Sequence, residues 1–467
     1  MAPALVRHVG LAVVLASAAC GDNIKPPDPN DPAVLLTALE ALPNVHDVTE
    51  MTTAHAGYHY FVLHFTQPVD HADPSGPTFL EEVSLIHADV AAPLVIHTSG
   101  YWDYYLDTPV ELTELLGANQ ISIEHRFFGT SRPDPADWSK LTIEQMADDE
   151  HGIVTSLATI YQGKKLSTGG SKGGMTAMFY RRFFSADVDG TVPYVAPISF
   201  AAPDPRYPPY LAQVGTADCR AAVRAVAVEM LANRRADFVA LAQNEASSMG
   251  YHYTRVAVGP AVESAIVSLE WSFWQYNGES DCALVPATNA SSDDLYTFLG
   301  MISPVSSSDD EQDTLLEAYD YQAYLQLGYP DDGTEAYLQP YEMYGDADYA
   351  GYLPLGVAIP TYDGGAAMQD IADWVAEHGD HLMFAYGEWD PWSGGMYALG
   401  SAADAAIYVE ATGTHDSDLE HMAGGDEAAA FAMLHSWTGV TAAPQHPIDA
   451  ALARLRAPRL HARHRSP

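Results

Sequence analysis

Residues 166–184 read "LSTGGSKGGMTAMFYRRFF", a serine set between two pairs of glycines where a short apolar run gives way to a helix-patterned one. Gly169, Ser171 and Gly173 satisfy G-x-S-x-G, the sharp strand-to-helix turn that carries a nucleophile at its apex. An L-residue at that apex has unfavourable dihedrals, and neighbours without a Cβ let strand and helix pass close beside it. The hydroxyl then stands at a helix N-terminus, where free N–H groups and the helix dipole favour developing negative charge. Glycine–serine turns are common in ordinary connections too, so the motif gains its meaning from its flanks.

Those flanks predict an α/β fold. Upstream, "YHYFVLHFTQPVD" and "EEVSLIHADV" alternate like antiparallel edge strands, while "APLVIHTSG" and "NQISIEHRFFG" are compact apolar runs of the kind buried in a parallel sheet. Thr142–Gln162 has helical periodicity with Thr142 as its cap, and "VPYVAPISF" supplies another buried strand after the serine helix. Strand, helix and strand alternate, so a parallel sheet with crossover helices follows. From about Pro203 to Gly379 the chain turns helical, aromatic and acidic, which predicts an inserted, mostly helical cap; the sheet resumes with "HLMFAYGEWDPWSGG" and "AAIYVEATGTHDSDL".

A serine hydroxyl needs a histidine to take its proton and a carboxylate to fix that histidine's tautomer. In α/β-hydrolases the two follow the serine in the order acid, then histidine, on loops after later strands. Asp390 and His415 stand at the carboxyl ends of two successive predicted strands, in that order. Each has a plainer rival: Asp390 precedes Pro391 and would start a turn, and His415 is one of 19 histidines, with His421 close by. An oxyanion needs two preorganised N–H donors. The backbone of Lys172 is one candidate, and Tyr101 or Gly100 in "HTSGYW" gives the other. In the cap, Glu270, Glu279 and Asp281 flank Trp271, Trp274 and Tyr276, which are candidates for a substrate amine and an aromatic pocket; aromatic residues at helical spacing also serve as core. No zinc-ligand spacing such as H-E-x-x-H is present, and the chemistry needs neither metal nor organic cofactor.

With 62 Asp and Glu against 21 Lys and Arg the formal charge is −41, so nucleic acid would be repelled. The opening "MAPALVRHVGLAVVLASAACGD" reads as an export leader with too short an apolar run to span a membrane. Its end resembles a lipoprotein processing site at Cys20, the alternative being simple secretion. "KPPDPNDPA" then reads as an extended tether. Of three cysteines, Cys219 and Cys282 remain as an even pair, so a disulfide is expected in an oxidising compartment, against two buried thiols that never meet.

"STGGSKGGMTAMFYRRFF", "EHRFFGTSRP", "FTQPVDH", "EWSFWQY" and "GEWDPWSGG" together resemble the secreted prolyl tri/tetrapeptidyl aminopeptidases of bacteria, a serine peptidase family distantly similar to lysosomal prolyl carboxypeptidase. The likeness runs from about Tyr60 to Leu419. It implies an α/β-hydrolase fold with a helical cap that cleaves short peptides from a free N-terminus, often after proline. It carries Ser171, Asp390 and His415 over as nucleophile, acid and base. The expected division is leader 1–19, anchor cysteine and tether 20–40, core 41–202, cap 203–379, core 380–440 and a basic tail 441–467. Two other functions are compatible with the residues alone: a lipase or esterase on the same fold, and a non-catalytic surface lipoprotein.

Overall fold

The computed structural model describes residues 27–443, so the leader, Cys20 and all of the basic tail beyond 443 lie outside the described residues. Among the described residues nine strands form one sheet: β1 (Val45–Met51), β2 (His59–Pro68), β3 (Thr78–His87), β4 (Leu94–Thr98), β5 (Asn119–Ile123), β6 (Lys165–Gly170), β7 (Gly190–Tyr194), β8 (Asp380–Gly387) and β9 (Ala403–Glu410), in the order 1-2-3-5-4-6-7-8-9. The alternating sequences β2 and β3 pair antiparallel at one side; the five apolar strands from β4 onward run parallel with β5. β4 shows why such strands read as unbroken hydrophobic runs. Leu94 and Ile96 enter the core beneath the helix Ile143–Leu157, while Val95 enters the core under Glu111–Leu116 and Asp426–Thr438, so both faces are covered. Thr142 caps Ile143–Leu157 as its sequence predicts, accepting from the Gln145 N–H at 3.3 Å.

Between β7 and β8 the chain builds a second, helical body with a core of its own, in which Val223, Met230, Phe238, Ile266, Trp274 and Leu295 are buried together. The start of this insertion is tied to a later part of it by backbone bonds, the Asp204 N–H donating to Tyr329 O and the Asp331 N–H to Asp204 O. The Cys219–Cys282 disulfide joins the cap helix Ala217–Asn233 to the turn Glu279–Leu284. With 63 residues of separation, chain entropy assigns it about 4 kcal/mol. Replacing both cysteines by serine is therefore expected to lower the unfolding free energy by about 2–4 kcal/mol, read from the urea midpoint.

Two expected boundaries move. The helix Ala366–His378, expected in the cap, buries Met368, Ile371 and Val375 against Met175, Met178 and Leu382 of the sheet layer, so the core resumes before β8. The tether ends earlier than residue 40: Asp31 caps a helix, Pro32–Glu40, through the Ala33 N–H at 3.0 Å, and its Leu35 and Leu39 are buried in the core. Pro32 occupies the first helical position, where a proline's missing N–H costs nothing.

Candidate active site

Ser171 sits at the junction of β6 and the helix Lys172–Phe183 with φ 55° and ψ −125°, a conformation an L-residue holds only under constraint. Its N–H donates to Tyr194 O at 2.9 Å, which pins the turn to β7. The small neighbours are required by space. A Cβ at Gly169 would lie 2.5 Å from Thr98 O, and one at Gly174 would lie 2.7 Å from the Ala196 Cβ. The turn thus matches what G-x-S-x-G predicts.

Asp390 and His415 meet. Asp390, wholly buried after the end of β8, accepts from His415 Nδ1 at 2.7 Å through one oxygen and from the Trp392 N–H at 3.1 Å through the other. Burial pushes its carboxyl above the ordinary aspartate value, with His415 and the Trp392 N–H opposing. The His415 N–H donates to Gln275 O at 2.8 Å, so the cap helix Leu269–Tyr276 fixes the histidine from above. His415 Nε2 is buried without a hydrogen-bond partner among the described residues. Together with Gly169 and Gly170, the two residues leading to Ser171, His415 lines a cavity of about 270 Å³. His421, the nearby rival, is exposed and pairs with Asp418 at 2.7 Å.

The remaining candidates divide. Tyr276 places its ring 5.9 Å from that of His415. Trp271 lies one ring further back, 5.2 Å from Trp392, which is itself 6.3 Å from His415. Trp274 is fully buried against Phe273 and Trp389, a cap-core residue. Glu270 is also buried, but Arg224 holds both its oxygens at 2.7 and 2.8 Å and Tyr337 donates at 3.0 Å, so its charge is already met. Glu279 is occupied by the Thr216 N–H and hydroxyl, and Asp281 accepts from Asn277. In the loop after β4, the Tyr101 N–H donates to Ser99 Oγ at 3.1 Å, which corrects the expectation of an open donor there. The Gly100 N–H has no acceptor among the described residues, and the Lys172 N–H lies in the first helical turn, where the helix offers none.

Sequence reasoning missed Trp392, although it lies only two residues past the acid. It also missed Glu111, which accepts from the N–H groups of Leu419 and Glu420 at 2.9 Å and from Tyr194 Oη at 2.5 Å, tying the His415 loop to the sheet. Burial, reinforced by Asp418, pushes this carboxyl from its ordinary 4.5 up to about 8. The folded chain therefore holds a proton that the unfolded chain has released above the ordinary value. That stability is full below about pH 4.5 and is lost as pH rises through about 8. Glu111→Gln keeps the acceptor for both amides, so thermal melts are expected to show a midpoint a few degrees higher than wild type at pH 8 and unchanged at pH 5.

A mixed sheet with a strained serine after the parallel strand β6 and a buried Asp–His pair after β8 and β9 defines an α/β-hydrolase of the serine type, with a helical cap inserted between core strands. The sequence comparisons narrow the class. The family model of PS-10 peptidase S37 matches residues 35–463, and the chain belongs to that family of serine peptidases. It is 38% identical to a prolyl tri/tetrapeptidyl aminopeptidase of Streptomyces mobaraensis over 416 residues, 86% of each chain. It is 22% identical to a lysosomal Pro-X carboxypeptidase of Bos taurus over 66% of this chain and 71% of that one. Among solved structures, a proline iminopeptidase of Mycobacterium smegmatis aligns over 80% of this chain and 98% of its own at a TM-score of 0.36 and 14% identity.

Proposed function

We propose that this serine peptidase is an exopeptidase that releases short peptides, three or four residues long, from free N-termini, cutting after proline. The observation that carries this reading is the 38% identity, spread over 86% of both chains, to the Streptomyces enzyme of that name. In the proposed reaction Ser171 Oγ attacks the peptide carbonyl while His415 Nε2 takes its proton. Asp390 holds Nδ1 protonated and stabilises the imidazolium. The Lys172 N–H and the Gly100 N–H receive the oxyanion, and collapse of the tetrahedral intermediate passes the proton from His415 to the departing amine. Water, activated by the same histidine, then hydrolyses the acyl-enzyme. Export belongs to the same proposal, with Cys20 lipidated or the chain released. It is supported by the leader sequence and by a disulfide that suits an oxidising compartment. No described helix is long and apolar enough to cross a membrane.

The test compares a proline-ending tripeptide anilide with its amine free, the same compound N-acylated, and an acyl ester. The free amine is expected to be cleaved faster than the blocked form by about 10²-fold or more, since a site built around a polar group rejects its absence strongly. Preference for the ester, with indifference to blocking, would give the chain to the esterases. Absence of fluorophosphonate labelling at Ser171 would leave a non-catalytic surface protein.

A further inference from the structure

Lys172 follows Ser171 in the chain, and its side chain is almost completely buried, 2% exposed. Its Nζ lies 5.3 Å from the centre of the Tyr101 ring and 5.1 Å from that of Phe128, and donates to the Gly100 carbonyl. No carboxylate among the described residues pairs with it directly. Burial pushes the amine well below the ordinary lysine range, with the buried Glu150 opposing. An amine in such a place is costly unless the bond it makes is needed, because an aliphatic side chain would fill the same slot without the desolvation.

The partner of that bond gives it meaning. Gly100 has φ +75°, and a Cβ on it would lie 2.6 Å from Gly173 N and 2.7 Å from the Lys172 carbonyl carbon, so the loop lies flat on the first turn of the serine's helix. The planar peptide between Gly100 and Tyr101 is held at both ends: Lys172 Nζ donates to its oxygen, and its N–H donates to Ser99 Oγ. The Ser99 hydroxyl is fixed in turn by Tyr101 O at 3.0 Å and Trp102 O at 2.9 Å. What remains unbonded is the Gly100 N–H, beside the helix N-terminus that also presents the Lys172 N–H. We propose that the Lys172 side chain is a positioning residue for the oxyanion site: by gripping the Gly100 carbonyl it orients the loop that supplies the second donor. Lys172 thus serves twice, giving its own N–H and aligning Gly100. This inference rests on Ser171 being the nucleophile.

The test takes wild type, Lys172→Met, which fills the slot without a donor, and Lys172→Gln, which keeps an N–H on a shorter chain. Each is measured for kcat and KM on the free-amine anilide, for inhibition by a peptide aldehyde whose hemiacetal places an oxyanion in the site, and for fluorophosphonate labelling. Lys172→Met is expected to lose about 10²-fold in kcat with KM within about twofold, and to lose aldehyde affinity by the same factor. Lys172→Gln is expected to fall between the two. If Lys172→Met does not accumulate as folded protein, Lys172→Gln decides alone: a kcat loss matched by the aldehyde supports the role. An unchanged kcat, or a loss confined to KM, overturns it in either variant. A wild-type enzyme that fluorophosphonate does not label at Ser171 would instead overturn the catalytic reading beneath it.

Discussion

Ser171→Ala is expected to reduce hydrolysis of the proline-ending tripeptide anilide by about 10⁶-fold, leaving only the catalysis that binding and the oxyanion donors supply. The fold should be indifferent to the change. Ser171 Oγ makes no hydrogen bond among the described residues, so its removal strands no partner there, and alanine bears the same strain at φ 55°. Ser171→Gly separates strain from chemistry. It is equally inactive, but glycine occupies positive φ freely, so its unfolding free energy is expected to exceed that of Ser171→Ala by about 1 kcal/mol. Residual turnover above about 1% in Ser171→Ala, with contaminating peptidase excluded, would transfer the nucleophile elsewhere.

The elbow was legible because its constraint is local: strand, turn and helix are adjacent in sequence, and the motif glycines Gly169 and Gly173 each answer a close approach that the motif alone implies. Asp390 and His415 were legible for a different reason. Each ends an apolar run, and a parallel sheet sends all such ends to one edge. Features whose meaning lies in a distant partner were not. Glu270 read as an open carboxylate because Arg224, which neutralises it, is 46 residues away on another helix. Glu111 carried no signal, since Tyr194 lies 83 residues downstream and the two amides it holds in the His415 loop lie more than 300 downstream. The strand β1 escaped notice because it pairs only with β2 at the sheet edge and buries almost nothing, so its sequence "VHDVTEM" lacks a clear alternation. Pro32 was read with the prolines before it as tether, although the buried leucines that follow make it a helix start. The helix Ala366–His378 follows the cap in sequence, and only its packing against the serine's helix assigns it to the core.

Asp390→Asn is expected to lower kcat by about 10⁴-fold with KM little changed. The reason is the fixed geometry on both sides of the carboxylate. The oxygen that accepts from the Trp392 N–H has to remain an oxygen, so the new NH₂ group faces His415 Nδ1. A donor there forces Nδ1 to accept, which places the ring proton on Nε2 and leaves the histidine unable to take the proton of Ser171. Fluorophosphonate labelling should slow by a comparable factor, because it also requires Ser171 to be deprotonated. Stability should move the other way. Burial raises the Asp390 carboxyl above its ordinary 3.8 despite the histidine, so the folded chain binds this proton more tightly than the unfolded one. The carboxylate's contribution therefore falls as pH rises through that raised value, and it is unfavourable at neutral pH. An asparagine escapes this cost, and the variant is expected to melt at pH 7 no lower than wild type. A variant that melts well below wild type and loses activity only in proportion to its unfolded fraction would make Asp390 a structural turn residue, the role its place before Pro391 also permits.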